Sequence, residues 1–239
     1  MRYETIKKAK FISRPNRFVA YCEIDGRIEV VHVKNTGRCR ELLVPNAAVY
    51  LSVSDNTERK TKYDLIAVEK VTDRGSIMIN MDSQAPNAAA YEWLRSGGIF
   101  GEGATVRREV TYGRSRFDLY VEHEGRRAFV EVKGVTLEEN GIASFPDAPT
   151  ERGIKHINEL VAAMKDGYEA YLLFVVQMKG IYIFTPKDNT HNAFGDALRR
   201  AAECGVKVLA YDCIITPNEM TVDSPIKIDL SEGGETGEG

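Results

Sequence analysis

Residues 115–137 read SRFDLYVEHEGRRAFVEVKGVTL, two apolar-rich strands folded back on each other about Glu124–Gly125. The first strand carries Asp118; the second carries Glu131 and Lys133. Side chains alternate faces along a strand, so Glu131 and Lys133 share one face and Val132 takes the other. Residues 118 and 131 are equidistant from the turn, which brings Asp118 close to Glu131 or Lys133. Phe129, Val130 and Val132 mark the second strand as buried, where an unpaired charge is costly. Two neighbouring carboxylates and a lysine can hold a divalent cation and polarise a water, the chemistry of phosphodiester cleavage. The same pattern also fits an ordinary hairpin with cross-strand charge pairing.

In the first reading Asp118 and Glu131 bind Mg²⁺ or Mn²⁺, and Lys133 stabilises developing charge or orients the attacking water. Glu109 is a third carboxylate if strand order brings it alongside. Arg152 and His156 lie one helical turn apart and share a face that could contact phosphate. Arg107, Arg108, Arg114 and Arg116 form the densest arginine group in the chain, a rim suited to a phosphate-rich substrate. In the N-terminal region Arg14, Arg17, Phe18 and Arg38 offer charge and an aromatic ring, as a single-strand nucleic-acid surface does. They also fit scattered solvated charge. Gln177 ends an apolar strand and could reach the same cavity or simply close the strand. No compact Cys/His cluster suggests zinc, and no phosphate-binding loop, dinucleotide fingerprint or nucleophile triad is readable.

The chain has 239 residues, 43 % of them hydrophobic, enough for two small domains or one large one. Short strands spaced over residues 1–80 predict a small β-barrel, and Gly37–Leu43 reads as a brief helix. Residues 81–104 read as a connecting helical segment. Residues 105–215 alternate strands with two amphipathic helices, Glu151–Lys165 and Phe194–Cys204, and predict a mixed-sheet α/β (α+β) domain. Thr150 is placed to cap the first of those helices. Residues 141–149 read as a polar loop. Residues 216–239 read as an extension whose acidic, glycine-rich end is disordered. A net charge of −3 argues against a surface coated in positive charge but leaves room for a local basic groove. Four dispersed cysteines suggest free thiols in a reducing compartment. Without a signal peptide or an apolar run long enough to span a bilayer, the cytoplasm is expected and a membrane partner is not.

FISRPNRF (11–18), HVKNTGRCREL (32–42), REVTYGRSRFD (108–118), FVEVKGVTL (129–137), FPDAPTERGIKHINEL (145–160) and FVVQ (174–177) together resemble the sugar fermentation stimulation protein family. The resemblance implies a barrel of the oligonucleotide-binding (OB) type followed by a domain like the metal-dependent PD-(D/E)xK restriction-type nucleases. It carries the nuclease pattern onto Asp118, Glu131 and Lys133, with Glu109 as an added acid. Pro146–Asp147 follows the EVK strand and so cannot open that motif; it reads as a loop element near the site. Members are described as DNA-binding, and the family name reflects an effect on sugar use. The resemblance therefore implies a Mg²⁺- or Mn²⁺-dependent nuclease acting on DNA or RNA. Its alternative is a DNA-binding regulator of sugar catabolism genes that does not cleave. A homodimer would let two sites address two strands.

Overall fold

The computed structural model describes residues 1–35, 37–56, 58–73, 75–113 and 115–232. Arg114 and the glycine-rich end of the tail lie outside the described residues.

Six strands come first: β1 (Ile6–Ser13), β2 (Val19–Ile24), β3 (Arg27–Val33), β4 (Ala48–Val53), β5 (Tyr63–Thr72) and β6 (Gly75–Asn80). They pair in the order β3-β2-β1-β4-β5-β6, and β3 also pairs in parallel with β5, which closes the barrel. Val31, Val33, Val49, Leu51, Leu65 and Val68 fill its interior. β5 is buried on both faces over Tyr63–Val68 because Tyr3 and Tyr50 cover Ile66 and Ala67 from outside. The expected helix at Gly37–Leu43 is instead a set of turns. The Leu42 and Leu43 amides both bond the Cys39 carbonyl, while Arg14 takes the carbonyls of Asn35 and Arg38. Cys39 itself is left-handed (φ 45°), which a right-handed helix through this stretch could not contain.

The second region holds α1 (Ala85–Arg95), β7 (Thr105–Tyr112), β8 (Ser115–His123), β9 (Arg126–Val135), β10 (Leu137–Glu139), β11 (Ile142–Phe145) and α2 (Glu151–Lys165). It continues with β12 (Glu169–Val176), β13 (Ile183–Pro186), α3 (Asp188–Glu203), β14 (Lys207–Thr216), β15 (Glu219–Pro225) and β16 (Lys227–Ile228). The main sheet runs β15-β14-β12-β9-β8-β7, parallel from β9 through β14 and antiparallel at both edges. α1 packs small residues, Ala85, Ala89 and Ala90, on one face; α2 and α3 cover the other. Thr150 caps α2, its Oγ1 accepting from the Gly153 amide at 3.0 Å.

Three elements depart from the sequence reading. The expected polar loop at 141–149 begins with β11, which pairs with β10 and lies parallel to β13, a long-range partner that local pattern does not reveal. α3 starts at Asp188 rather than Phe194, across a non-helical residue at His191 that breaks the 3.6-residue period. The main sheet continues past residue 215, because β15 pairs with β14 as its edge strand. All four cysteines are free. Among the described residues no helix is long and apolar enough to cross a membrane.

The two regions share one hydrophobic cluster, which runs from the barrel interior into the layer beneath α2 and α3. Polar contacts cross the same boundary. The Asn80 amide donates to the Gln177 carbonyl at 2.9 Å, and Gln177 Nε2 returns a bond to the Asn80 carbonyl at 3.0 Å. Lys70 of β5 donates to the Glu138 carbonyl at 2.7 Å and pairs with its buried carboxylate.

Candidate functional site

The β8–β9 hairpin turns at Glu124–Gly125, both with positive φ, and pairs Leu119 with Val130 and Tyr120 with Phe129. The ladder ends there. Asp118 and Glu131, next in register, are not paired through their backbones; instead the Asp118 carboxylate accepts from the Val132 amide at 2.8 Å. A side chain thus substitutes for a backbone carbonyl where the two strands part. The other Asp118 oxygen accepts from Asn87 Nδ2, in the first turn of α1, at 2.8 Å.

Glu131 is 1 % exposed, yet it faces charge. Its Oε1 accepts from Lys133 Nζ at 2.6 Å and from His156 Nδ1 on α2. The Arg152 Nε–H approaches His156 Nε2 at 3.4 Å, which makes Nε2 the acceptor and leaves the proton on Nδ1 for Glu131. Glu131 Oε2 is buried without a hydrogen-bond partner. A carboxylate oxygen in that position is costly unless something else meets it.

The electrostatics separate the two acids. Burial raises the Asp118 carboxyl above its usual range, and the Glu131 charge raises it further, against the Val132 amide, Lys133 and Asn87. Burial would raise Glu131 too, but the His156 hydrogen bond and the Lys133 ammonium outweigh it and hold Glu131 below the usual range. Glu131 is thus the fixed anion of the pair, and Asp118 is the one whose charge a cation would stabilise most.

The other predicted residues divide into three groups. Glu109 stands opposite Asp118 by register, but its backbone is left-handed (φ 54°) and its exposed carboxylate pairs with Arg116 at 3.1 Å. Arg107 and Arg108 leave opposite faces of the sheet: Arg107 lies over Tyr120 at 4.7 Å, Arg108 over Tyr91 of α1 at 5.4 Å. In the barrel, Arg14 donates to the carbonyls of Arg38, Arg17 and Asn35 at 2.6–2.8 Å, so its guanidinium braces its own loop. Arg17 and Phe18 remain at the surface, stacked at 5.0 Å, with Phe18 47 % exposed. Arg38 is exposed.

Two features lay outside the sequence reading. Tyr21, Ile28 and Val30 extend the exposed apolar surface beyond Phe18, on the outer face of β2 and β3. Neither β2 (VAYCEI) nor β3 (RIEVVHV) alternates cleanly, so the sequence carries no clear signal for this face. A cavity of about 340 Å³ opens between the barrel and the second region, lined by Asn35, Gly37, Ser83, Gly134, Asp147 and Gln177 among others. Its walls come from five separate stretches of chain, which no local pattern links.

Residues 12–79 match the SfsA N-terminal OB domain family, and residues 84–219 match the sugar fermentation stimulation protein RE domain family. The chain belongs to the sugar fermentation stimulation protein family. It is 54 % identical over 233 residues to the homolog from Desulfitobacterium hafniense strain Y51, covering 98 % of this chain and all of that one. The Clostridium beijerinckii homolog is 51 % identical over 230 residues, covering 96 % of this chain and all of that protein. A solved structure of Pyrococcus furiosus SfsA in complex with Ca²⁺ superposes with a TM-score of 0.84 at 28 % identity, covering 96 % of this chain and 98 % of that one. The architecture is therefore an N-terminal OB-like barrel followed by a mixed-sheet RE domain. It is consistent with nucleic-acid binding. Among the described residues no group of three or more His, Cys, Asp or Glu side chains is arranged to hold a metal ion.

Proposed function

We propose that this chain is a DNA-binding protein that grips strands between its barrel surface and the carboxylate–lysine site of its RE domain. The observation that carries this reading is the outer face of β2 and β3. There Tyr21, Ile28 and Val30 are exposed on an OB-like barrel, and Phe18, in the bend just before β2, is exposed beside them with Arg17 stacked on its ring. Aromatic rings beside arginines bind single strands by stacking and charge, largely without regard to sequence. Binding to DNA should weaken at least tenfold in a Phe18→Ala/Tyr21→Ala double variant. Unchanged affinity at 100 mM salt would remove the barrel from the interface. Control of sugar catabolism genes is the cellular role this reading accommodates.

A second reading, divalent-metal-dependent cleavage on a PD-(D/E)xK fold, is favoured by one observation: Glu131 Oε2 is buried and unpartnered, beside a second carboxylate. An acceptor without a donor is what a cation would complete, and a divalent cation is named in the P. furiosus SfsA complex. Asp118 and Glu131 would hold Mg²⁺ or Mn²⁺, which would supply a bound water of lowered pKa and stabilise phosphoryl charge. Lys133 balances the charge of Glu131 and lies ready to meet a phosphate oxygen. His156 holds Glu131 in place through its Nδ1–H. Calorimetric titration with Mn²⁺ tests the site: one equivalent binds to the wild type and none to Glu131→Gln. Equal binding by both would remove Glu131 as a ligand.

A further inference from the structure

We propose that the cavity between the barrel and the RE domain receives one unpaired nucleotide of the bound strand, base inward, with its phosphate at Lys133. This rests on the nucleic-acid reading above and specifies the substrate: a strand end, overhang or gap rather than continuous duplex.

The first argument is position. The cavity begins at Gly134, one residue beyond Lys133 on β9. α1 joins the two places again: Asn87 bonds Asp118, and the preceding Pro86 packs on Gly134. The two positions are one strand residue, about 3.3 Å, apart along β9, but Gly134 faces Pro86 and Gln177 while Lys133 faces Glu131 and α2, so the nucleotide would wrap the end of the strand, base on one side and phosphate on the other.

The second argument is shape. At about 340 Å³ the cavity lies at the small end of ligand sites and takes a nucleotide, not a helix. Two glycines let side chains close its walls tightly. A Cβ on Gly134 would sit 2.5 Å from Gln177 Oε1 and 2.6 Å from Pro86 Cγ. On Gly37 it would sit 2.7 Å from Asp147 Oδ2, across the boundary between the two regions. Phe145, packed against Phe174 and Phe194 at 5.7 and 5.1 Å, gives the cavity a rigid apolar wall.

The third argument is charge. Among the described residues no lysine or arginine lines the cavity, and Asp147 does. The N-terminus of α2 at Thr150 also reaches the cavity, and against it Asp147 disfavours a phosphate there. The amino edge of a base would be accepted by the Asp147 carboxylate and by oxygens of Asn35, Ser83 and Gln177. The cation next along β9 is Lys133, outside the cavity. Polarity therefore orients the nucleotide base-in and phosphate-out. Flipped or terminal bases are held in this manner wherever chemistry or recognition needs them out of the stack.

The test uses the full chain in EDTA, so that cleavage cannot intervene. The probes are duplexes ending in a one-nucleotide overhang of 2-aminopurine, the same overhang with an abasic residue, and a blunt duplex. The 2-aminopurine fluorescence should change on binding, and the overhang should bind at least tenfold more tightly than the abasic or blunt duplex. Ala148→Trp and Ala148→Phe, at an exposed position on the cavity lip, should abolish that preference while blunt-duplex affinity and melting temperature stay unchanged. A wild type that binds all three duplexes alike overturns the cavity assignment and leaves DNA binding standing, as do filled variants that keep the preference. A protein that binds none of the three, nor a single-stranded oligonucleotide of the same sequence, overturns the nucleic-acid reading itself.

Discussion

Arg14 in the barrel, half-buried, and Glu131 in the RE domain, buried, are both charges placed at a binding surface by the sequence pattern, and each leaves one buried atom unpaired. Their partners differ. Arg14 bonds three backbone carbonyls of its own neighbourhood, so its position is fixed by the fold. Glu131 bonds two side chains, Lys133 and His156, which can turn toward a new partner without moving the chain. A charge held by backbone braces a loop; a buried one held by side chains, with an oxygen to spare, is available for chemistry.

The largest effect tests the Glu131 side of this contrast. If the RE domain cleaves DNA, Asp118→Ala or Glu131→Ala should lower the rate in Mg²⁺ or Mn²⁺ by about 10³-fold or more, with DNA affinity in EDTA changed less than tenfold. Cleavage surviving both substitutions would place the chemistry elsewhere. Arg14→Ala should act oppositely. It should destabilise by about 2–3 kcal/mol in urea unfolding, because hydrogen bonds to a charged group are lost and three carbonyls are left to find water. A loss of DNA affinity without loss of stability would make Arg14 a contact after all.

Asp118→Asn gives a smaller effect of opposite sign. The folded carboxyl is raised by burial and by Glu131, so the wild type is weakened wherever Asp118 must ionise. The variant should be more stable than the wild type at pH 7. That advantage should vanish below about pH 4, where an unfolded aspartate is protonated as well. Glu131 behaves in reverse. Its folded carboxyl is lowered, so the stability it contributes is present at neutral pH and is lost as pH falls through its depressed range. Urea midpoints at pH 7 and pH 3.5 separate the two. The smallest effects belong to the surface arginines. Arg107→Ala and Arg116→Ala should each reduce the salt dependence of DNA binding by about one unit of log–log slope, with stability within about 0.5 kcal/mol.

The pair Asp118–Glu131 was legible because a two-residue turn fixes hairpin register by counting, and no bulge intervenes before Leu119. The cap at Thr150 and the shared face of Arg152 and His156 were legible because helix geometry is local. The spacing of the arginine group does not say which of its members share a face. Adjacent strand residues face opposite ways, and Arg107 and Arg108 separate accordingly. Glu109 was beyond counting, since its left-handed backbone turns the side chain toward Arg116. β11, β15 and the cavity depend on partners far away in sequence, and hydrophobic periodicity carries no record of those.

The bonds between Asn80 and Gln177, and between Lys70 and Glu138, lie over a core shared by both regions. Two family domains joined in this way have no independent melting points. The chain should absorb heat in a single calorimetric peak, and a mutation deep in the barrel, such as Leu65→Ala, should lower the temperature at which the RE domain loses its structure.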